Sequence, residues 1–321
     1  MIDCAVILAV GNPTHKSQLV YNRAHAMLPA LGKPLVVRIM NPLHRAGIRQ
    51  FVVVVGVNEG AVASYLNSQW VPNAQVDFVL KPNNVSIPKV LSEIARRHQQ
   101  PFLLAGYNTI THSHFPVSLL TKYQEYPDSL FLGGAANTLS QSKRHFYAVT
   151  EGQVVEEIVQ EPPSAGQALT LMDMAVCGGE FVQYLAEMIA ETGQFYYQFM
   201  DIAAMYRQAG GATHITQTAW TLQIETDRDL LTLNKLLLED KQDAHTLSEL
   251  PSSVQVVPPV RIDPQVSVGA GARIGPYVYL ERGCNIGSDA VVEHAIILQR
   301  VTIAPRATVK DMIVSTRGQI G

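Results

Sequence analysis

Residues 5–15 read AVILAVGNPTH and residues 51–56 read FVVVVG. Both open as unbroken apolar runs that lead into a glycine, the pattern of strands buried on both faces of a parallel sheet. Between them, KPLVVRIMNPLHRAGI (Lys33 to Ile48) carries apolar residues at helical spacing and reaches Gly47 at its end, so the three segments form a strand, helix, strand unit. The alternation continues with VDFVL at 76–80, a helix from Pro88 to His98, PFLLAG at 101–106 and LFLGGAA at 130–136. This order predicts an α/β domain with a mostly parallel sheet, whose ligands sit at the carboxyl ends of the strands.

A chain of 321 residues exceeds the usual size of one domain and predicts two. Hydrophobic residues make up 47% and charged residues 16%, with a formal net charge of −3, so the composition favours neither nucleic acid nor an anionic membrane as partner. An anionic ligand must then be held by a local site. Cys4, Cys177 and Cys284 are odd in number and lack metal-type spacing, which predicts reduced thiols and a cytoplasmic protein. The apolar run from Cys4 to Val10 is too short to span a bilayer, and the leading Met-Ile-Asp has no basic segment, so a soluble, unprocessed protein is expected.

After about residue 235 the helical pattern stops. A polar stretch gives way to aliphatic beats six residues apart: Val256, Ile262, Val268, Ile274, Leu280 and Ile286. Val266, Ala272, Val278, Cys284 and Ala290 fill the fourth place after five of them. Such a hexapeptide repeat predicts a parallel β-helix, one inward aliphatic side chain per face of each coil. The register slips by one near Val292 and resumes at Ile297, Ile303 and Val309, which predicts a bulge or an irregular corner and roughly three coils. The expected division is a domain at 1–235, a linker at 236–253 and the β-helix at 254–321.

An α/β domain that opens with AVILAVG and continues AMLPALGKPLVVRIMNPLHRAGIRQFVVVVG, followed by a short hexapeptide β-helix, resembles the sugar-1-phosphate nucleotidyltransferases over nearly the whole chain. The resemblance implies a Rossmann-like nucleotidyltransferase domain and a C-terminal left-handed parallel β-helix. It also implies a chemistry. A sugar phosphate oxygen attacks the α-phosphate of a nucleoside triphosphate and displaces pyrophosphate, with loop amides, an Arg, a Lys and Mg²⁺ on two Asp residues neutralising charge.

Carried over position by position, Leu8, Ala9 and Gly11 match the nucleotide-binding start of the family loop A-V-I-L-A-A-G-x-G-T-R-L. The second glycine is Pro13, which has no amide N–H to offer. The loop Arg is His15 and the lysine of P-K-x-M-L-P is His25, and an imidazole of ordinary pKa is mostly neutral at pH 7. The base-reading run is KPNNVSIPK, with Lys81 at the family glutamine and Ser86 at the glycine near the base. The two metal-binding aspartates correspond to Asn108 and Gln223, and neutral amides contribute no charge to a site for a hard cation. On the sugar side, Gln160 and Glu161 replace the acid and lysine of E-K-P, and Met174-Ala175-Val176 stands at N-A-G.

Losing one preorganised charge commonly lowers a rate by ~10²–10³, so these substitutions predict an impaired enzyme. The expected roles are nucleotide-sugar or sugar-phosphate binding, regulation of an active paralogue, or scaffolding, with no cofactor and Mg²⁺ only if the chain is active. The alternative is an atypical nucleotidyltransferase in which His25 serves as a conditional cation. A metal site at His15 and His25, or at His112 and His114 in THSH, lacks a placed third ligand, and these are read as loop residues. His294, at the register slip, is read as a corner residue rather than an acyl-transfer base. Tyr196 and Tyr197 are read as core aromatics. The β-helix is the expected homo-oligomer surface, with Ile296 and Ile297 among its packing residues.

Overall fold

The computed structural model describes residues 2–11, 18–21, 23–70, 73–140, 145–163, 168–188, 198–240 and 243–320. Pro13, His15, Tyr196 and Tyr197 lie outside them. By contact the chain forms two compact units, one of residues 1–12, 24–27 and 35–223, the other of 13–23, 28–34 and 224–321.

In the first unit, strands β1 (Cys4–Leu8), β4 (Gln50–Gly56), β5 (Gln75–Lys81) and β6 (Phe102–Gly106) pair in parallel in the order β5-β4-β1-β6. Val52, Val53 and Val54 of β4 are buried, as expected for a strand covered on both faces. The crossovers are α1 (Leu35–Arg45), α2 (Gly60–Gln69) and α3 (Ile87–His98). Helix α3 shows why its sequence is helical. The Ser86 hydroxyl accepts from the Lys89 amide at the N-terminus, Arg96, Arg97 and His98 complement the dipole at the other end, and Gln99 closes it at φ 50°.

The sheet then changes direction. Short β7 (Thr109–Ile110) and helix α4 (Phe115–Tyr123) lead to β8 (Leu130–Thr138), and β9 (Tyr147–Glu151) and β10 (Val154–Val159) form a hairpin. The long β11 (Ala168–Cys177) inserts antiparallel between β6 and β8. Helices α5 (Gly179–Glu187) and α6 (Phe199–Gln208) precede β12 (Thr213–Gln223), which runs parallel to β8 and pairs β7 through Gln223 and Thr109. His114 precedes α4 as its N-cap residue, and the ring of His112 meets Trp220 edge-on at 5.0 Å, so the two histidines flank a turn rather than share a strand face.

The second unit holds a small hairpin, β2 (Pro29–Ala30) with β3 (Lys33–Pro34), helix α7 (Asp227–Glu239) and a parallel β-helix. α7 begins on a capping box of Thr226 and Asp229. One face of the β-helix stacks β13 (Gln255–Val256), β16 (Arg273–Ile274), β19 (Val291–Glu293) and β22 (Thr308–Lys310). A second stacks β14 (Val260–Ile262), β17 (Val278–Leu280), β20 (Ile296–Ile297) and β23 (Ile313–Ser315), closed by antiparallel β24 (Gly318–Ile320). The third stacks β15 (Ser267–Val268), β18 (Asn285–Ile286) and β21 (Thr302–Ile303).

Every third aliphatic beat therefore meets its counterpart one coil on, as in Ile262, Leu280 and Ile297. The residue missing after Val292 is removed at the corner holding His294, and the strand pairs on either side stay in register. His294 adopts φ 48°, donates its amide to Pro276 O and stacks on Tyr277 at 5.1 Å. Ile296 and Ile297 are buried in the coil, so the expectation that they supply an outer packing surface is corrected. Before β13, Thr246 bridges to Ile262 and the Leu247 amide donates to Ile262 O, which adds part of the expected linker to the first coil.

Candidate functional site at the strand ends

β1, β4 and β6 end side by side, with Leu8 opposite Val54 on one flank and Gly106 on the other. The chain leaves β1 through Ala9, whose amide donates to Val54 O, and Tyr107 donates its amide back to Leu8 O. The sequence places Leu8, Ala9 and Gly11 here, at the carboxyl ends of parallel strands.

The Gly11 amide, which the resemblance assigns to a phosphate, donates instead to Oε1 of Glu59 at 2.5 Å. Oε2 of the same carboxylate accepts from the Gly56 amide at 2.8 Å. Glu59 is only 9% exposed and stands at the N-cap of α2, directly after β4. A Cβ on Gly11 would lie 2.8 Å from Glu59 Oε1 and 3.0 Å from His25 Nδ1, so a side chain here would displace Glu59 or His25. His25 sits in a 3₁₀ turn, His25–Met27. Lys81 lies opposite Gly56 at the end of β5, and its Nζ donates to Pro82 O at 3.4 Å. Burial pulls its pKa below the ordinary lysine value, and the charge of Glu59 opposes that shift.

The second cluster surrounds Gly106. A Cβ there would lie 2.9 Å from Cβ of Asp173, 3.2 Å from Oδ1 of Asn108 and 3.5 Å from Oδ2 of Asp173. Gln223 Nε2 donates to Asp173 Oδ2 at 3.4 Å. Asn108 and Gln223, 115 positions apart in sequence, are thus brought together around a carboxylate from β11. The β11–β8 register shifts between Met172 and Ala175, and Asp173 falls in that irregularity. Such an irregularity re-aims a side chain, and here Asp173 packs against Gly106 at the end of β6.

The resemblance implies Mg²⁺ at this cluster, and the donor set does not fit it. One carboxylate stands among two neutral amides, and its Oδ2 accepts an N–H from Gln223 where a cation would need it as a ligand. No three His, Cys, Asp or Glu residues gather in a metal-binding group among the described residues.

The remaining positions lie elsewhere or serve the fold. Ser86 caps α3. Gln160 and Glu161 are exposed just past β10; burial raises the pKa of Asp201 in the first turn of α6, and hydrogen bonds from the Gln198 amide and the Gln160 side chain oppose that rise. Met174 is buried in β11. Sequence reasoning missed Glu59 and Asp173. Their signals were an acid directly after a buried strand and a single charge inside the apolar run LTLMDMAV.

Parallel strands with polar residues gathered at their ends, on a chain that closes in a β-helix, are the arrangement that the resemblance implies. Residues 256–321 match the GMPPB C-terminal domain. The bifunctional protein GlmU of Exiguobacterium sp. is 21% identical over 334 residues, covering 99% of this chain and 70% of that protein. A Bacillus anthracis protein described as a glucose-1-phosphate thymidylyltransferase, in complex with sucrose, superposes with a TM-score of 0.63 at 14% identity, over 72% of this chain and 94% of its own. The inositol-1-phosphate CTP transferase of T. maritima gives 0.60 at 14% identity, over 71% and 91%. UTP-bound UGPase of Acinetobacter baumannii gives 0.59 at 15%, over 73% and 92%. In fold, the chain is similar to these nucleotidyltransferases, and its C-terminal residues to the GMPPB C-terminal domain. No helix among the described residues is long and apolar enough to cross a membrane.

Proposed function

We propose that this chain keeps the nucleotidyltransferase scaffold while lacking its phosphoryl-transfer chemistry, and acts as a nucleotide-sugar-binding, regulatory or scaffolding protein. The observation that carries the reading is the cluster of Asn108, Gln223 and Asp173: one negative charge, accepting a hydrogen bond from an amide, stands where the family chemistry calls for two carboxylates on a cation. Pyrophosphate displacement depends on neutralising phosphate charge; among the described residues the first cluster offers one lysine, Lys81, already coupled to the Glu59 carboxylate, and the Asn108, Gln223 and Asp173 cluster offers no cation. The β-helix supplies faces through which copies of the chain, or an active paralogue, would assemble.

The test is pyrophosphate release by the purified chain with a panel of nucleoside triphosphates and hexose 1-phosphates in Mg²⁺, alongside calorimetric titration with nucleotide sugars. The expected result is no turnover together with saturable nucleotide-sugar binding. Turnover by the unmodified chain overturns the proposal, and turnover that rises as pH falls toward the histidine range would assign His25 the part of a conditional cation.

A further inference from the structure

We infer that Glu59 is a specificity-determining residue that withholds the Gly11 amide from a polyphosphate by placing the protein's own carboxylate on it. This deepens the reading above, since it rests on the β1 end being the nucleotide-facing edge of the sheet.

The amides of Gly11 and Gly56 donate to different oxygens of one carboxylate, so Glu59 spans the ends of β1 and β4 as a bridging anion would. Gly11 and Gly56 are both held close to that carboxylate, because a Cβ on either would meet a Glu59 oxygen within 3.1 Å. The side chain is buried, and its charge acts on Lys81 at the end of the neighbouring strand. The internal anion therefore takes a backbone donor and the field of a nearby cation together. A phosphate oxygen arriving at Gly11 meets a like charge and an amide already in use, and juxtaposed like charges at a desolvated site disfavour binding.

The experiment uses the full chain and Mg²⁺-free tripolyphosphate as a probe of the anion cradle, read by calorimetry and thermal shift. Glu59→Gln removes the charge while keeping a side-chain acceptor for one amide, and Glu59→Ala removes both. Glu157→Gln, an exposed position on β10, controls for net charge. The expected result is an ~10²-fold tighter tripolyphosphate Kd in Glu59→Gln than in the unmodified chain, with no change in Glu157→Gln. Equal tripolyphosphate binding by the unmodified chain and the Glu59 variants overturns the inference, as does an equal gain in the control. If no variant binds tripolyphosphate while the unmodified chain binds a nucleotide sugar, the inference falls and the proposed function stands. If neither ligand binds to any form, both fall.

Discussion

Replacing Asn108 and Gln223 by aspartate should convert the Gly106 cluster from one that ignores Mg²⁺ into one that depends on it. Asn108 Oδ1 and Asp173 Oδ2 both approach the same point above Gly106, at 3.2 and 3.5 Å. A carboxylate at 108 would thus lie near that of Asp173, and two such charges ~5 Å apart at an effective dielectric of ~20 repel by about 3 kcal/mol. Gln223→Asp adds a third charge and removes the amide donation to Asp173 Oδ2. Without metal, the double variant should be destabilised by about 3 kcal/mol or more, a fall in Tm of roughly 6 °C if ~2 °C follows each kcal/mol in a chain this large. A cation bound only by the folded state at about 100 times its Kd returns about 2.7 kcal/mol. Thermal melts in EDTA and in Mg²⁺ measure both halves. The unmodified chain should melt at one temperature in the two buffers, and the double variant should recover most of its loss in Mg²⁺. A double variant indifferent to Mg²⁺, or an unmodified chain with the same Mg²⁺ response, would refute the reading that the family chemistry places its cation at this cluster.

In the second unit, the Tyr279 hydroxyl donates to Asp263 Oδ2 at 2.8 Å and accepts the Gly32 amide at 3.0 Å, while Arg261 Nε holds Asp263 Oδ1 at 2.7 Å. Tyr279→Phe leaves the amide and the carboxylate oxygen without that hydroxyl and should lower stability by about 1–3 kcal/mol in denaturant titration; a change within experimental error would show that the hydroxyl does not anchor the Gly32 hairpin. His214 stacks between Tyr126 and Phe131, its Nδ1 3.2 Å from Ser129 Oγ, and burial lowers its pKa. The unfolded chain then binds the proton more readily, so this contribution is complete above the ordinary histidine pKa and is lost as pH falls through the lowered one. The drop in Tm from pH 7.5 to pH 5 should be smaller in His214→Phe than in the unmodified chain, and an unchanged drop would place the dependence on other groups.

The parts of the fold that were legible are those in which one periodicity decides burial. FVVVVG has no polar position to expose, and the β-helix beats recur at the spacing that stacks Ile262 on Leu280. β11 was not legible because Asp173 and Met174 interrupt its alternation, and the residues that break the pattern fall where the pairing register shifts. At the site, matching one motif to one position named Asn108 and Gln223, and the structure places both beside Asp173. It passed over Asp173 and Glu59 because both sit at places to which the family pattern assigns no charge. A positional comparison names expected groups, whereas the folded chain shows which side chains surround those positions.

The two clusters share one physical design. A site built to take a triphosphate must hold donors and cations without internal partners, which is unfavourable until the ligand arrives. Here the carboxylate of Glu59 answers the Gly11 and Gly56 amides and lies within electrostatic reach of Lys81, and the carboxylate of Asp173 accepts from Gln223. Each of these carboxylates meets a need that a ligand would otherwise meet, and both act in the direction of the proposed function. Removing cations while leaving an open anion cradle would have left the loop amides without partners; Glu59 supplies one. The described amides of Gly11 and Gly56 thereby have a partner without polyphosphate, and under the proposed function a nucleotide sugar would draw on contacts away from the Gly11 amide.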